Sequence, residues 1–292
     1  MVNKAIVYSG VLKDYLILTK PGIVLLVLIT TLTGMYFAQR GFPDSWLIFW
    51  TLLGTGLASA GSAGLNQFFD RDLDALMERT KDRPLPSGSV NPKNAFLFSL
   101  LLILLSTFIM VFKVNLLATS LVLFASLFYV VVYTLALKRK SPLATEVGGV
   151  SGALPPVIGY AAVRGELGFE ALILFLIMFL WQPPHFWVLA IKYAEDYRRA
   201  GIPTLPVAKG VEHTKLKTLI YTAGLLPMSL LPSLYGIAGH LYFLSALLLS
   251  LVYLLLTLKF TLSKKPNGAF LFFYSVLYIT LLFSVMVFDM RR

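Results

Sequence analysis

Long runs of apolar side chains alternate along the chain with short polar stretches, and nothing in it shows the ten-residue apolar–polar alternation of barrel strands. Nine apolar segments stand out, near residues 21–38, 46–66, 95–112, 115–137, 147–163, 168–190, 217–237, 239–259 and 269–289. Each is close to the roughly 20 residues a helix needs to cross the hydrocarbon of a bilayer. Lipid offers no partner to a bare backbone N–H or C=O, so the segments are predicted to be helices. The expectation is an all-α polytopic membrane protein, a single bundle of nine transmembrane helices forming one domain over 1–292. Two long polar loops, about 67–94 and 191–216, interrupt it and hold most of the acidic residues.

Composition narrows the class further. Hydrophobic residues make up 58% of the 292 and charged residues only 13%, against about 25% charged in soluble domains. With a mean hydropathy of +0.79 and no cysteine, disorder, a disulfide scaffold and a free-standing nucleic-acid binder are excluded. The net charge of +11 is read as a topology signal rather than as affinity for a polyanion. If the nine segments all cross, 20 of the 25 Lys and Arg fall on one side, in the N-terminal segment and in the loops after the second, fourth, sixth and eighth spans. The other side keeps Arg40, Lys113, Arg164, Arg291 and Arg292. By the positive-inside rule the N-terminus is then cytoplasmic and the C-terminus outside. The first apolar run is as long as a span and ends without a small-residue cleavage site, so no signal peptide or transit peptide is expected, which favours a prokaryotic plasma membrane.

Chemistry is expected where acids interrupt apolar helices. Asn66, Asp70 and Asp74 recur every four residues at the end of the second span and form one stripe of oxygens on a helix, with Asp72 pointing elsewhere. Like charges stacked this way at a membrane edge call for a cation. Magnesium accepts a partial set of one or two carboxylates plus phosphate oxygens, and Arg79, Lys81 and Arg83 follow to meet remaining phosphate charge. A solvated helix end whose acids and bases pair among themselves is the plainer alternative. Glu195 and Asp196 repeat the theme in the second loop, followed by Arg198 and Arg199. Before them Pro183 and Pro184 interrupt a span beside Gln182 and His185, where they are expected to kink the helix. His213 and His240 read as surface residues, and Lys138-Arg139-Lys140 as a topology signal.

The Asn66-x3-Asp70-x3-Asp74 pattern resembles the first aspartate-rich motif of the intramembrane, UbiA-type prenyltransferase superfamily. Within it the fuller match is to the haem O synthases, the protohaem IX farnesyltransferases. The matching stretches are Asp70-x-Asp72-x-Asp74-x-x-Met77-x-Arg79-Thr80-x-x-Arg83-Pro84-Leu85-Pro86-x-Gly88, Tyr133-Thr134 with Lys138-Arg139, Gly148-Gly149 and Gly152-Ala153-x-Pro155-Pro156. Trp181-Gln182-Pro183-Pro184-His185-Phe186-Trp187 and Asp196-Tyr197-x-x-Ala200-Gly201-Ile202-Pro203-x-Leu205-Pro206 complete them. One departure is that Lys192, rather than an aspartate, stands four residues before Asp196.

The resemblance implies farnesyl transfer from farnesyl diphosphate to a vinyl group of haem B, with water added, giving haem O. It implies magnesium held by Asn66, Asp70, Asp74 and Asp196, and diphosphate held by Arg79, Lys81, Arg83 and Lys192. His185 is the first candidate to touch haem, at iron or a propionate, with Gln182 and Trp187 beside it. Haem B is substrate, not cofactor, and the product would pass to haem A synthase or terminal oxidase assembly. A quinone- or chlorophyll-type prenyltransferase, a secondary transporter and a non-catalytic oxidase-assembly scaffold are the competing readings.

Overall fold

The computed structural model describes residues 2–264 and 267–290, with side chains from residue 10 onward. Lys265, Arg291 and Arg292, which enter the charge count, lie outside the described residues. All the regular structure described is helical apart from a single bridge between Ala238 and Met290. In chain order the helices are α1 (Val2–Thr19), α2 (Pro21–Gln39), α3 (Ser45–Asp74), α4 (Pro92–Lys113), α5 (Leu116–Leu137), α6 (Ala144–Ala153) and α7 (Pro155–Arg164). They continue as α8 (Phe169–Lys192), α9 (Ala194–Arg199), α10 (Leu205–Lys209), α11 (Val211–Leu234), α12 (His240–Leu262) and α13 (Ala269–Phe288).

Seven of these, α2, α3, α4, α5, α8, α12 and α13, are long and apolar enough to cross a membrane. Two of the nine expected spans have a different form. The 147–163 segment is two ten-residue helices, α6 and α7, meeting at Leu154. Pro155 and Pro156 have no N–H for the carbonyls one turn back, so α6 ends and α7 starts afresh with proline in its first turn. The 217–237 segment belongs to α11, which begins earlier, at Val211, and carries Pro227 and Pro232 internally.

The two polar loops are also more structured than their composition suggests. Helix α3 runs on to Asp74, leaving 75–91 as the irregular part of the first loop. Short helices α9 and α10 and the start of α11 occupy the second. Side-chain caps set several helix starts: Asp44, Asn91 and Asn115 each accept from a backbone N–H of the first turn of α3, α4 and α5. Helix α8 runs through Pro183 and Pro184 without a break.

Packing in the bundle relies on close backbone approach. A Cβ on Gly34 of α2 would stand 1.9 Å from the Pro156 carbonyl oxygen, and one on Gly159 of α7 would stand 1.9 Å from that of Thr31. Only glycine lets these two helices touch, as is common where lipid gives no hydrophobic drive for association. The main core joins α7, α8, α11, α12 and α13, with Tyr242, Tyr253 and Tyr278 fully buried in it. Leucine and phenylalanine side chains of α4, α12 and α13 remain exposed around the outside, as a lipid-facing surface requires.

Candidate active site

The end of α3 carries the centre of the site. Asn66, Asp70 and Asp74 form one stripe, and all three are buried. The Asn66 amide donates to Asp70 Oδ2 at 2.7 Å and to Thr134 Oγ1 at 3.1 Å. Around them stand cations: Lys20 Nζ donates to Asn66 Oδ1 at 2.7 Å, Lys138 Nζ to Asp70 Oδ2, and Arg83 to Asp74 Oδ2 at 2.7 Å. Burial, then the nearby Arg83 and Lys138 charges, pull the Lys20 ammonium down to about 7. Asp72 does point elsewhere, into a two-pronged hydrogen bond with Arg139 at 2.7 and 2.8 Å. That contact holds its neighbour helices together at the rim rather than joining the stripe.

The second loop meets the first here. Asp196 of α9 is buried, accepts from Arg199, and lies 3.4 Å from the backbone N–H of Arg79. Burial opposes ionisation of Asp196, but the Arg199 and Arg79 hydrogen bonds outweigh it and hold the carboxyl below the usual carboxylate range. Arg79 also reaches the Tyr197 hydroxyl at 3.3 Å and lies over the Tyr193 ring. Thus Arg79, Arg83, Asp74 and Asp196 come together from two loops more than a hundred residues apart.

Other expected residues stand further out. Lys81 is exposed and pairs with Glu78 at 2.6 Å, while Glu195 pairs with Arg198 in solvent. Lys192 lies over Tyr193 and lines a separate cavity of about 630 Å³ with Lys215 and Lys264. His213 and His240 are exposed, as expected.

From the polar cluster an apolar cavity of about 290 Å³ runs into the bundle. Lys20, Tyr129, Tyr133 and Phe186, the last packed beside Tyr197, line its charged end, and Ala58, Val122 and Gln182 line it further on. The second half of α5, Phe128–Leu137, is wound as a π-helix. The Lys138 N–H therefore bonds the Tyr133 carbonyl five residues back, and Thr134 Oγ1 bonds that of Tyr129. The wider winding sends Thr134 to Asn66 and Lys138 to Asp70 while Tyr129 and Tyr133 stack at 5.4 Å on the cavity wall.

Of the three residues expected to meet haem, only Gln182 lines this cavity. His185 is stacked between Trp181 and Phe272, with ring centroids at 4.9 and 4.4 Å, and its Nδ1 lies 2.6 Å from Ser275 Oγ. Trp187 is fully buried edge-on to Tyr221.

Among the described residues no three His, Cys, Asp or Glu side chains form a ready metal cluster. The donor chemistry nonetheless suits a hard divalent ion. Asp70 Oδ1 is buried without a hydrogen-bond partner, and every other carboxylate oxygen of the stripe that is engaged faces an amide or a cation. An oxygen-rich stripe covered by ammonium and guanidinium groups is a place that demands positive charge.

Sequence reasoning missed Lys20, Tyr129, Thr134 and Lys138 as site residues. Tyr133, Thr134 and Lys138 stood in the matching stretches. No spacing in the sequence marks the change of winding that brings Thr134 and Lys138 to the stripe. Lys20 had no signal beyond its place just before Pro21.

The UbiA prenyltransferase family profile matches residues 27–283. A relative named protoheme IX farnesyltransferase from Aquifex aeolicus is 60% identical over 284 residues, which is 97% of this chain and 97% of that one. Among solved structures, one described as digeranylgeranylglyceryl phosphate synthase superposes with a TM-score of 0.79 at 19% identity, covering 96% of this chain and 98% of that chain. A UbiA homologue from Archaeoglobus fulgidus bound to GPP and Mg2+ superposes with a TM-score of 0.66 at 19% identity, covering 94% and 99%. At these identities the structures establish the fold alone.

Proposed function

The chain belongs to the UbiA prenyltransferase family, and from that premise we propose that it transfers the farnesyl group of farnesyl diphosphate to a vinyl group of haem B, with addition of water, to give haem O. The observation that carries the reading is the 60% identity, end to end, to a protein named protoheme IX farnesyltransferase. The site fits the chemistry, because a charged cluster suited to a diphosphate opens directly into an apolar cavity suited to a prenyl tail.

Asn66, Asp70, Asp74 and Asp196 would hold magnesium. When bound, that ion supplies positive charge against the departing diphosphate. Arg79 and Arg83 bind diphosphate oxygens through their guanidinium forks, and Lys138 and Lys20 do so through ammonium groups now resting on Asp70 and Asn66. Lys81 and Lys192, at the rim, add positive potential that draws the anion in. Tyr129 and Tyr133, stacked on the cavity wall, put aromatic rings beside the space where an allylic cation would form, and the apolar walls exclude water until the vinyl group attacks. Haem lies against Gln182 and Phe186, with His185 and Trp187 holding the α8 wall behind them.

The topology extends the proposal. Helices α6 and α7 cross as one span and α11 as another, which makes nine crossings with the N-terminus and active site cytoplasmic and the C-terminus outside. The plasma membrane of a prokaryote is the setting, and haem O is passed on toward haem A synthase or oxidase assembly. The charge asymmetry supports this orientation.

The test is incubation of detergent-purified protein with haem B, farnesyl diphosphate and magnesium, followed by mass spectrometry of extracted haem. A species heavier by one farnesyl and one hydroxyl group, absent with EDTA, is expected. Haem recovered unchanged from a folded preparation would sink the reading and direct the next assay to aromatic acceptors.

A further inference from the structure

The orientation of one amide in the cavity wall bears on the last step of this reaction. Gln182 Nε2 donates both of its hydrogens, to the Gly149 carbonyl at 3.1 Å and to the Met178 carbonyl at 3.0 Å. Both partners are pure acceptors, so only the NH2 end can face them. The amide is locked, with Oε1 as its free end in a lining that is otherwise largely apolar. A Cβ at Gly152 would stand 2.0 Å from Oε1, so this position is open only because residue 152 is glycine. Helices α6 and α8 thus present a fixed amide acceptor on a wall distinct from α3, which carries the acid stripe.

We propose that Gln182 is the residue that positions the water added to haem, an inference that rests on the farnesyl-transfer reading above. The C1–O bond of farnesyl diphosphate breaks with its electron pair going to the diphosphate. The vinyl π electrons form the new carbon–carbon bond to C1, leaving a cation on the carbon next to the porphyrin. That cation has two exits. Water attacks through oxygen and gives the hydroxyethylfarnesyl group, its proton passing to diphosphate or solvent. Alternatively, a proton leaves the adjacent CH2 and gives an alkene lighter by one water. A water that donates a hydrogen bond to Oε1 is held with a lone pair free to attack, on the acceptor side of the cavity and away from C1, where early water would only hydrolyse the donor.

Product partition reads this role independently of overall rate. Wild-type protein, haem B, farnesyl diphosphate and magnesium in ¹⁸O-labelled water are expected to give a hydroxylated product carrying the label. Gln182→Leu is expected to raise the anhydro fraction at least tenfold among whatever prenylated haem forms, and Gln182→Glu, which keeps an acceptor oxygen there, to restore hydroxylation. Gly152→Ala displaces Oε1 without changing the amide and is expected to raise the anhydro fraction as well; it decides the matter if Gln182→Leu yields no product. An unchanged hydroxylated fraction in Gln182→Leu, or in Gly152→Ala where the first variant is silent, overturns the inference. Absence of any prenylated haem from the wild type would instead overturn the underlying reaction.

Discussion

Asp70 shows what a buried carboxylate needs in a membrane protein. One of its oxygens accepts from Asn66 and Lys138, and the other has no partner at all. Asp70→Asn keeps the shape and removes the charge. Turnover is expected to fall on the order of 100-fold or more, with an unchanged size-exclusion profile, and Asp74→Asn to do the same. Normal rates in both would remove the ion site. Lys138 supplies the cation that buried Asp70 requires when magnesium is absent, and this yields a second expectation. Lys138→Met leaves a carboxylate buried without compensation, a change that costs about 3–5 kcal/mol in comparable pairs. Thermal melts in detergent with EDTA should therefore show a lower Tm than wild type. Magnesium should recover much of the loss, because an ion that binds the folded state stabilises it by mass action. A Lys138→Met deficit that magnesium leaves untouched would mean that the lysine does not share its place with a metal.

At the level of helices, the segments and the acid stripe could be read from the sequence because both are local patterns: apolar runs of span length, and oxygens four residues apart. The contacts of the stripe could not. Lys138 lies 68 residues from Asp70, and it arrives only because α5 changes winding at Phe128 and docks on α3. Hydropathy does not see a π-helix, and it ran across Leu154 although Pro155 and Pro156 were in plain view. The placement of His185 was hidden for a related reason. The double proline marked α8 as special, but the side of α8 that faces the cavity is set by packing against α6 and α13, which gives the cavity to Gln182 and encloses His185 between Trp181 and Phe272. The backbone contact between α2 and α7 is equally non-local and can be tested directly. Gly159→Ala forces a methyl against a carbonyl oxygen of the facing helix, and overpacking of this kind costs about 1–3 kcal/mol. A clear fall in Tm is expected, whereas Gly22→Ala in the same pair of helices, with nothing within 4 Å of the new carbon, should leave Tm unchanged. Equal effects would mean that the α2–α7 approach is looser than described.

For the whole molecule the span count follows from which helix ends share a side, and the contacts sort them into two groups. Lys20, Asn66, Arg83, Lys138, Arg79 and Asp196 gather at one end of the bundle. At the other, Arg40 meets Glu170, Phe169 packs on Tyr235, and Asp289 caps the start of α12 through Gly239 and Tyr242. The broken pair α6–α7 starts just after Lys138, in the first group, and ends where Asn115 donates to the Ala161 and Ala162 carbonyls at the far end of α5. It therefore travels as far as α5 does, which a re-entrant hairpin would not. Helix α11 likewise begins near Lys215, bonded to the Ser263 carbonyl, and ends at Tyr235 beside Phe169. The chain has no cysteine, so single cysteines can report sidedness without any background to remove. Ser87→Cys, Lys140→Cys and Glu212→Cys are expected to resist a membrane-impermeant maleimide added to intact cells and to react in inverted vesicles. Phe42→Cys, Glu166→Cys and Tyr235→Cys are expected to do the reverse. If Lys140→Cys and Glu166→Cys label from the same side, α6–α7 does not cross and the span count falls. If every position labels opposite to expectation, the bundle is inverted, and the diphosphate site would then face away from the cytoplasmic supply of its substrate.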